Sequence, residues 1–202
     1  KHYFFMDMNQ NENFELFLKK LSQCGVSEES CGKLREYYGD DIIGASFSTK
    51  SSSGTAYEGS MLEVSLRHLA VFAVKIRELY PEEIRPSVES VVKVCLLQHI
   101  SSGIRFTKQV DEWRASKLGE KYVYVQGVPA IGIGLHSLIM AVDAGITFTA
   151  NEAEAMTIID RSDDDIASKY HSSGLSSIVK AANEMVYVKF SELEKLRNSS
   201  AS

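Results

Sequence analysis

Apolar positions in this chain recur mostly three and four residues apart, the spacing that gathers them on one side of an α-helix. Phe14, Phe17, Leu18 and Leu21 predict an amphipathic helix over 13–24, closed by Gly25. Ser27 then reads as an N-cap, with Glu28 and Glu29 in a first turn where the helix dipole favours acid. That second helix is expected to end near Tyr38, in a Gly39-Asp40-Asp41 turn. The densest segment, 57–80, places Leu62, Leu66, Leu69, Ala73, Ile76 and Tyr80 at helical spacing. Glu63, Arg67, Lys75 and Glu78 fall on its remaining face, and Pro81 stops it. Between Leu69 and Val74 it is apolar all round, which predicts burial on more than one side. The remaining elements are expected to assemble around this helix.

The polar stretch 46–57, with Ser51, Ser52, Ser53 and Gly54, predicts a loop and, apart from the termini, the least ordered part of the chain. Pro86 fits the first turn of a helix over 88–101. The β-branched content there would also suit a buried strand; length and the spacing of Val88, Val92, Cys95 and His99 decide for helix, ended by Ser102-Gly103. From 104 to 117 the pattern is irregular, with Trp113 expected as an anchor beneath a loop, and the alternation over 121–126 predicts a small β-ribbon with neighbouring chain. Gly127, Pro129, Gly132 and Gly134 punctuate a turn before a helix over 135–142. Thr149 and Glu152 have capping-box spacing and open a helix through Ala155, Met156 and Ile159, and Asp163, Asp164 and Asp165 start another short turn. The last long helix, 173–196, carries Leu175, Ile178, Ala182, Met185 and Leu193 on one side, although 185–190 alternates like a strand. The tail 198–202 is disordered by composition. These elements predict one all-α domain over 1–202, a bundle of about seven helices with a minor β-ribbon.

Composition narrows the functional classes. A net charge of -5 with interspersed signs argues against nucleic-acid binding, which needs a concentrated basic surface. No run approaches the ~20 apolar residues that span a bilayer, so no membrane association is expected. Tyr3 to Met6 is too short for a signal-peptide core, although a start at Lys1 rather than Met leaves room for a processed leader. Cys24, Cys31 and Cys95 are odd in number without CxxC spacing, which suits a reduced, cytoplasmic setting with Cys95 as a small buried hydrophobe.

Four stretches carry a family pattern by their order and spacing: Tyr57 to Glu63 (YEGSMLE), Leu96 to Ile100 (LLQHI), Gly132 to Ser137 (GIGLHS), and Glu152 to Ile159. Together they resemble the HD-domain phosphohydrolase superfamily, in its phage and bacterial branch, over roughly 45–184. The resemblance implies an HD-like helical fold. Active members hold one or two metal ions on His and Asp side chains, an adjacent His-Asp pair among them, and the metal activates a water that attacks a phosphoester, commonly in a nucleotide. Carried onto this chain, the implied ligand positions are Gly54, Val64, the pair Gln98 and His99, Ile133, Ile159 and Asn183. Val64 and Ile133 have no donor atom, and Gln98 is a poor ligand beside imidazole or carboxylate. The resemblance therefore implies a degenerate member without metal or other cofactor, which binds a small ligand or a protein rather than hydrolysing a phosphoester.

Two other sites are open to the same residues. Glu63, His68, His99, His136 and Asp160 lie in or near the matching stretches and could line a polar pocket between the helices over 57–80, 88–101 and 135–142. A rebuilt centre for Mn, Fe, Ni or Zn on His99, His136 and Asp160 would make the chain an active phosphohydrolase, although such sites generally need three or more protein ligands. Against both, a core-edge histidine hydrogen-bonded to a carbonyl accounts for His99. Arg105, Lys108, Arg114, Lys117 and Lys121 form a basic stretch around Trp113 that suits a phosphate or an acidic partner, or simply a solvated surface. A structural or assembly role, with a homodimer as its simplest form, is the remaining class.

Overall fold

A computed structural model describes residues 9–161 and 172–200. The Tyr3–Met6 stretch and the expected turn at Asp163–Asp165 lie outside the described residues. The chain is mostly helical, with one two-stranded antiparallel ribbon, and so follows the all-α expectation. In order it forms α1 (Gln10–Gln23), α2 (Glu28–Gly44) and α3, a continuous rod of Ser60–Val64, a π-helical turn Ser65–Leu69 and Ala70–Arg77. Next come α4 (Val88–Leu97), α5 (Ser102–Arg105), β1 (Phe106–Lys108), α6 (Glu112–Lys117) and β2 (Tyr122–Tyr124). The remaining helices of the described residues are α7 (Ile133–Asp143), α8 (Ala150–Thr157) and α9 (Gly174–Ser200).

Local signals set most helix starts. The Ser27 hydroxyl accepts from the Ser30 N–H at the head of α2, Ser87 does the same for Ser90 at the head of α4, and Thr149 and Glu152 form the full capping box of α8. Pro86 therefore lies one residue outside the cap rather than in the first turn. The 88–101 segment is a helix only to Leu97; Ser102 and Gly103, expected to end it, instead begin α5.

Packing decides where local signals lose. Helix α2 runs through Gly39-Asp40-Asp41 to Gly44, because continuing as a helix buries Ile42 completely and seats Gly39 beneath the Phe14 ring. The 46–57 loop is pinned rather than loose: Ser46 and Thr55 are buried, Ser48 and Thr55 bond through their hydroxyls at 2.9 Å, and Lys50 bridges to Glu120. In α3, Leu62, Leu66, Leu69 and Ala73 face the core as expected, but Val71 is 40% exposed, so the apolar girdle is buried on one broad side only. The inward face of α4 is Val91, Val94 and Cys95; Val88 is exposed and Val92 lies at the boundary, one step round from the expected stripe. Trp113 is 61% exposed and anchors nothing.

Helix α9 closes the bundle, packing along the Ala70–Arg77 part of α3, α8 and α4. Its buried side is Leu175, Ile178, Ala182, Val186 and Phe190, whereas Met185 and Leu193 point outward. Helical continuity through 185–190 keeps the 175/178/182/186/190 ridge on the core, which the local alternation does not predict. Asn198–Ser200, expected to be disordered, are the last turn of this helix. The ribbon pairs Phe106 with Tyr124 and Lys108 with Tyr122, as the alternation over 121–126 predicts. All three cysteines are free, and Cys95 is fully buried, which pushes its thiol pKa up. Among the described residues no helix is long and apolar enough to cross a membrane.

Candidate functional site

The end of α4 and the middle of α9 meet in a chain of side-chain hydrogen bonds. Asn183 donates to Gln98 Oε1 at 2.8 Å and to the Val179 carbonyl at 2.9 Å, one turn back in its own helix. Asn183 Oδ1 lies 2.9 Å from His99 Nε2. Gln98 Nε2 in turn donates to the Ala155 carbonyl of α8 at 2.9 Å. Gln98 is wholly buried and His99 keeps 7% exposure, so each bond replaces water that neither group can reach. Burial holds the His99 pKa down at about 4, against the smaller favourable effects of Asn183 and the more distant Asp160 carboxylate. The imidazole is therefore neutral at pH 7, with Nε2–H donating to Asn183, while Nδ1 is buried without a partner.

This network brings together three of the positions at which the resemblance implies ligands, across 84 residues of sequence. The other four do not extend it with donors. Val64 is a wholly buried core residue, and Ile133 contributes only its backbone carbonyl, to the Ser101 hydroxyl. Gly54 packs against the Phe190 backbone. Ile159 joins Asn183 in lining a groove of about 440 Å³ between the Ile158–Arg161 turn and α9, with Arg161, Lys180, Glu184 and Tyr187. At the expected position for a pocket, between α3, α4 and α7, Leu96 and Leu97 of α4 and Met140 and Ala141 of α7 are buried in the core.

The residues proposed to line a polar pocket do not converge. Glu63 accepts from Tyr57 Oη at 3.1 Å, on the far face of α3. His68 lies beside Lys189, with 3.1 Å between Nδ1 and Nζ, edge-on to Phe190; burial first and then Lys189 hold its pKa down at about 4. Asp160 accepts from the N–H groups of Gly134 and Leu135 at 3.0 and 2.7 Å, and so caps the start of α7. His136, one turn further along α7, faces Arg105 instead. Tertiary packing thus spends each of these groups locally.

The fit to a metal ion follows from the donor set. One imidazole already engaged at Nε2, two amide side chains, three aliphatic residues and a glycine do not make the three or more imidazole, thiolate or carboxylate donors that such an ion needs. The nearest acid, Asp160, is committed to the α7 N-terminus. Among the described residues no three or more His, Cys, Asp or Glu side chains are grouped so as to hold a metal.

The basic stretch also separates. Lys108 pairs with Glu58 at 2.6 Å and Arg114 with Glu120 at 2.8 Å, both on the surface, and Lys117 and Lys121 are exposed. Solvent screens surface pairs of this kind, so the stretch is a solvated face rather than a focused cationic patch. Arg105 alone turns inward, to 7% exposure. No sequence signal marks that inversion; it arises because β2 folds back over α5 and places the Tyr124 ring above the guanidinium, 5.9 Å away. No protein-family model, curated protein or solved structure matches this chain.

Proposed function

We propose that this chain is a degenerate HD-type helical domain that binds a ligand or partner and carries out no metal-dependent hydrolysis. The observation that supports this most is the Gln98–Asn183–His99 network. Where the resemblance implies a His-Asp pair and a distal aspartate, an amide, an imidazole and a second amide satisfy one another. An amide pair of this kind is a structural replacement: it needs no counter-ion, stays neutral, and ties α4, α8 and α9 together in the low-dielectric interior. The groove beside it, lined by Asn183, Ile159 and Tyr187, offers a concave surface for a small ligand.

Elemental analysis of protein purified without chelator, alongside a phosphoester assay with added Mn²⁺, Ni²⁺ or Zn²⁺, tests the reading. The expected result is far less than one ion per chain, with hydrolysis no faster than that of the free metal. Stoichiometric metal that disappears in His99→Ala, together with turnover that disappears with it, would overturn the proposal.

A further inference from the structure

Among the described residues Arg105 is a buried cation without an acid beside it. The residue keeps 7% exposure, yet no carboxylate of the described residues lies within ion-pair distance. Its polar contacts are two long ones from Nη1, to the Pro129 carbonyl at 3.4 Å and to His136 Nδ1 at 3.3 Å, while Nε is buried with no partner among the described residues. A guanidinium stays charged throughout the accessible pH range, so it cannot escape burial by losing its proton. The group beside it makes matters worse, since a protonated His136 would add a second positive charge. Burial first and then Arg105 push the His136 pKa down, and neutrality lets Nδ1 accept from Nη1. Stacking on Tyr124 and two long hydrogen bonds offset part of the desolvation of such a charge; an anion is the element that completes the arrangement.

We propose that Arg105 and His136 form a buried site for an oxyanion, the phosphate or carboxylate group of a small ligand, reached from the surface beside Tyr124 and Pro129. The unpaired Nε and its neighbouring amino group form one edge of the fork that guanidinium uses against two oxygens at once. His136 is 9% exposed and adds a second donor when an anion favours its protonated form. Tyr124, 58% exposed, is the ring over the guanidinium among the described residues. The inference rests on the binding reading given above and names its ligand class, but at a place apart from the Gln98–Asn183–His99 network.

Thermal unfolding of the full chain in inorganic phosphate, in acetate and in sodium chloride at equal ionic strength tests the site, with the Arg105 Nε–H resonance followed by NMR in the same titrations. The expected result is a saturable rise in Tm with phosphate or acetate beyond that in chloride, a shift of the Nε–H resonance with the same midpoint, and at least tenfold weaker binding in Arg105→Gln. A response to phosphate alone identifies a phosphorylated ligand, and one to acetate alone a carboxylate. Equal Tm in all three salts with an unmoved Nε–H resonance, which needs no variant to fold, overturns the proposal. So does an undiminished response in a folded Arg105→Gln. Either failure leaves the metal-free reading standing, whereas a stoichiometric metal with this response intact would remove that reading and keep the oxyanion site.

Discussion

Gly134→Ala is expected to destabilise the fold by about 3 kcal/mol or more, near the upper end for a single methyl group. A Cβ at this position would lie 2.1 Å from the Met156 carbonyl oxygen and 3.1 Å from Asp160 Oδ2. The first of these is backbone inside α8, so no side-chain rotation relieves it, and α7 and α8 must separate. Separation also breaks the Asp160 bonds to the Gly134 and Leu135 N–H groups and disturbs the Ala155 carbonyl that holds Gln98. Gly32→Ala provides the control. Gly32 is an exposed residue of α2 with open space around its missing side chain. Alanine there should stabilise by about 0.5–1 kcal/mol through helix propensity. Denaturant unfolding of both variants checks the pair, and a wild-type midpoint for Gly134→Ala would refute the close packing of α7 on α8.

The second large effect is expected at Glu152, a residue buried to 3% exposure. It accepts from Lys93 at 2.8 Å, from the Ser90 hydroxyl at 2.7 Å and from the Thr149 N–H at 2.8 Å. Glu152→Ala leaves Lys93 with only a long bond to the Thr147 carbonyl at 3.3 Å and the Phe148 ring. Removing one partner of a buried pair in this way costs about 3–5 kcal/mol. Because the Lys93 side chain keeps 12% exposure, the lower end of that range applies.

The same group sets an acid limit on stability. Burial opposes ionisation of Glu152, but the Lys93 pair, the Thr149 N–H and the Ser90 hydroxyl outweigh it and hold the carboxyl below its usual value of 4.5. A carboxyl depressed in the folded state stabilises fully above its unfolded value, and that contribution is lost as pH falls through the lower folded one. Below pH 4.5, Tm should therefore fall more steeply with acid in the wild type than in Glu152→Gln; parallel slopes would show that the pair adds nothing.

The contrast between Thr149 and Arg105 shows what the sequence discloses and what it withholds. The capping box of Thr149 and Glu152 is legible because its four atoms belong to two residues only three apart in the chain. Ser27 and Ser87 are caps of the same local kind, though at Ser87 the proline beside it draws the reading one residue off. The Lys93 partner of Glu152 is invisible, since it lies 59 residues away and depends on how α4 meets α8. Gly39-Asp40-Asp41 carries a strong local signal for a turn, and the burial of Ile42 overrides it. For the site, Gln98 and Asn183 stand out in the sequence only through the family resemblance. Periodicity placed His99 inward but gave no hint that an amide from α9 would meet it. In the sequence Arg105 is indistinguishable from its exposed neighbours, because charge composition carries no information about which cation a ribbon will cover.

The central claim is that His99 is a neutral member of an amide network and not a metal ligand, and its imidazole resonances test this most directly. Followed by NMR from pH 8 to 3.5, with and without one equivalent of Zn²⁺, they should titrate near pH 4 and be unmoved by zinc. The stability held by keeping the ring neutral is full above its ordinary value of 6.5 and is lost as pH falls toward that lower one. Titration near 6.5, or ring signals displaced by a single equivalent of zinc, would contradict the account.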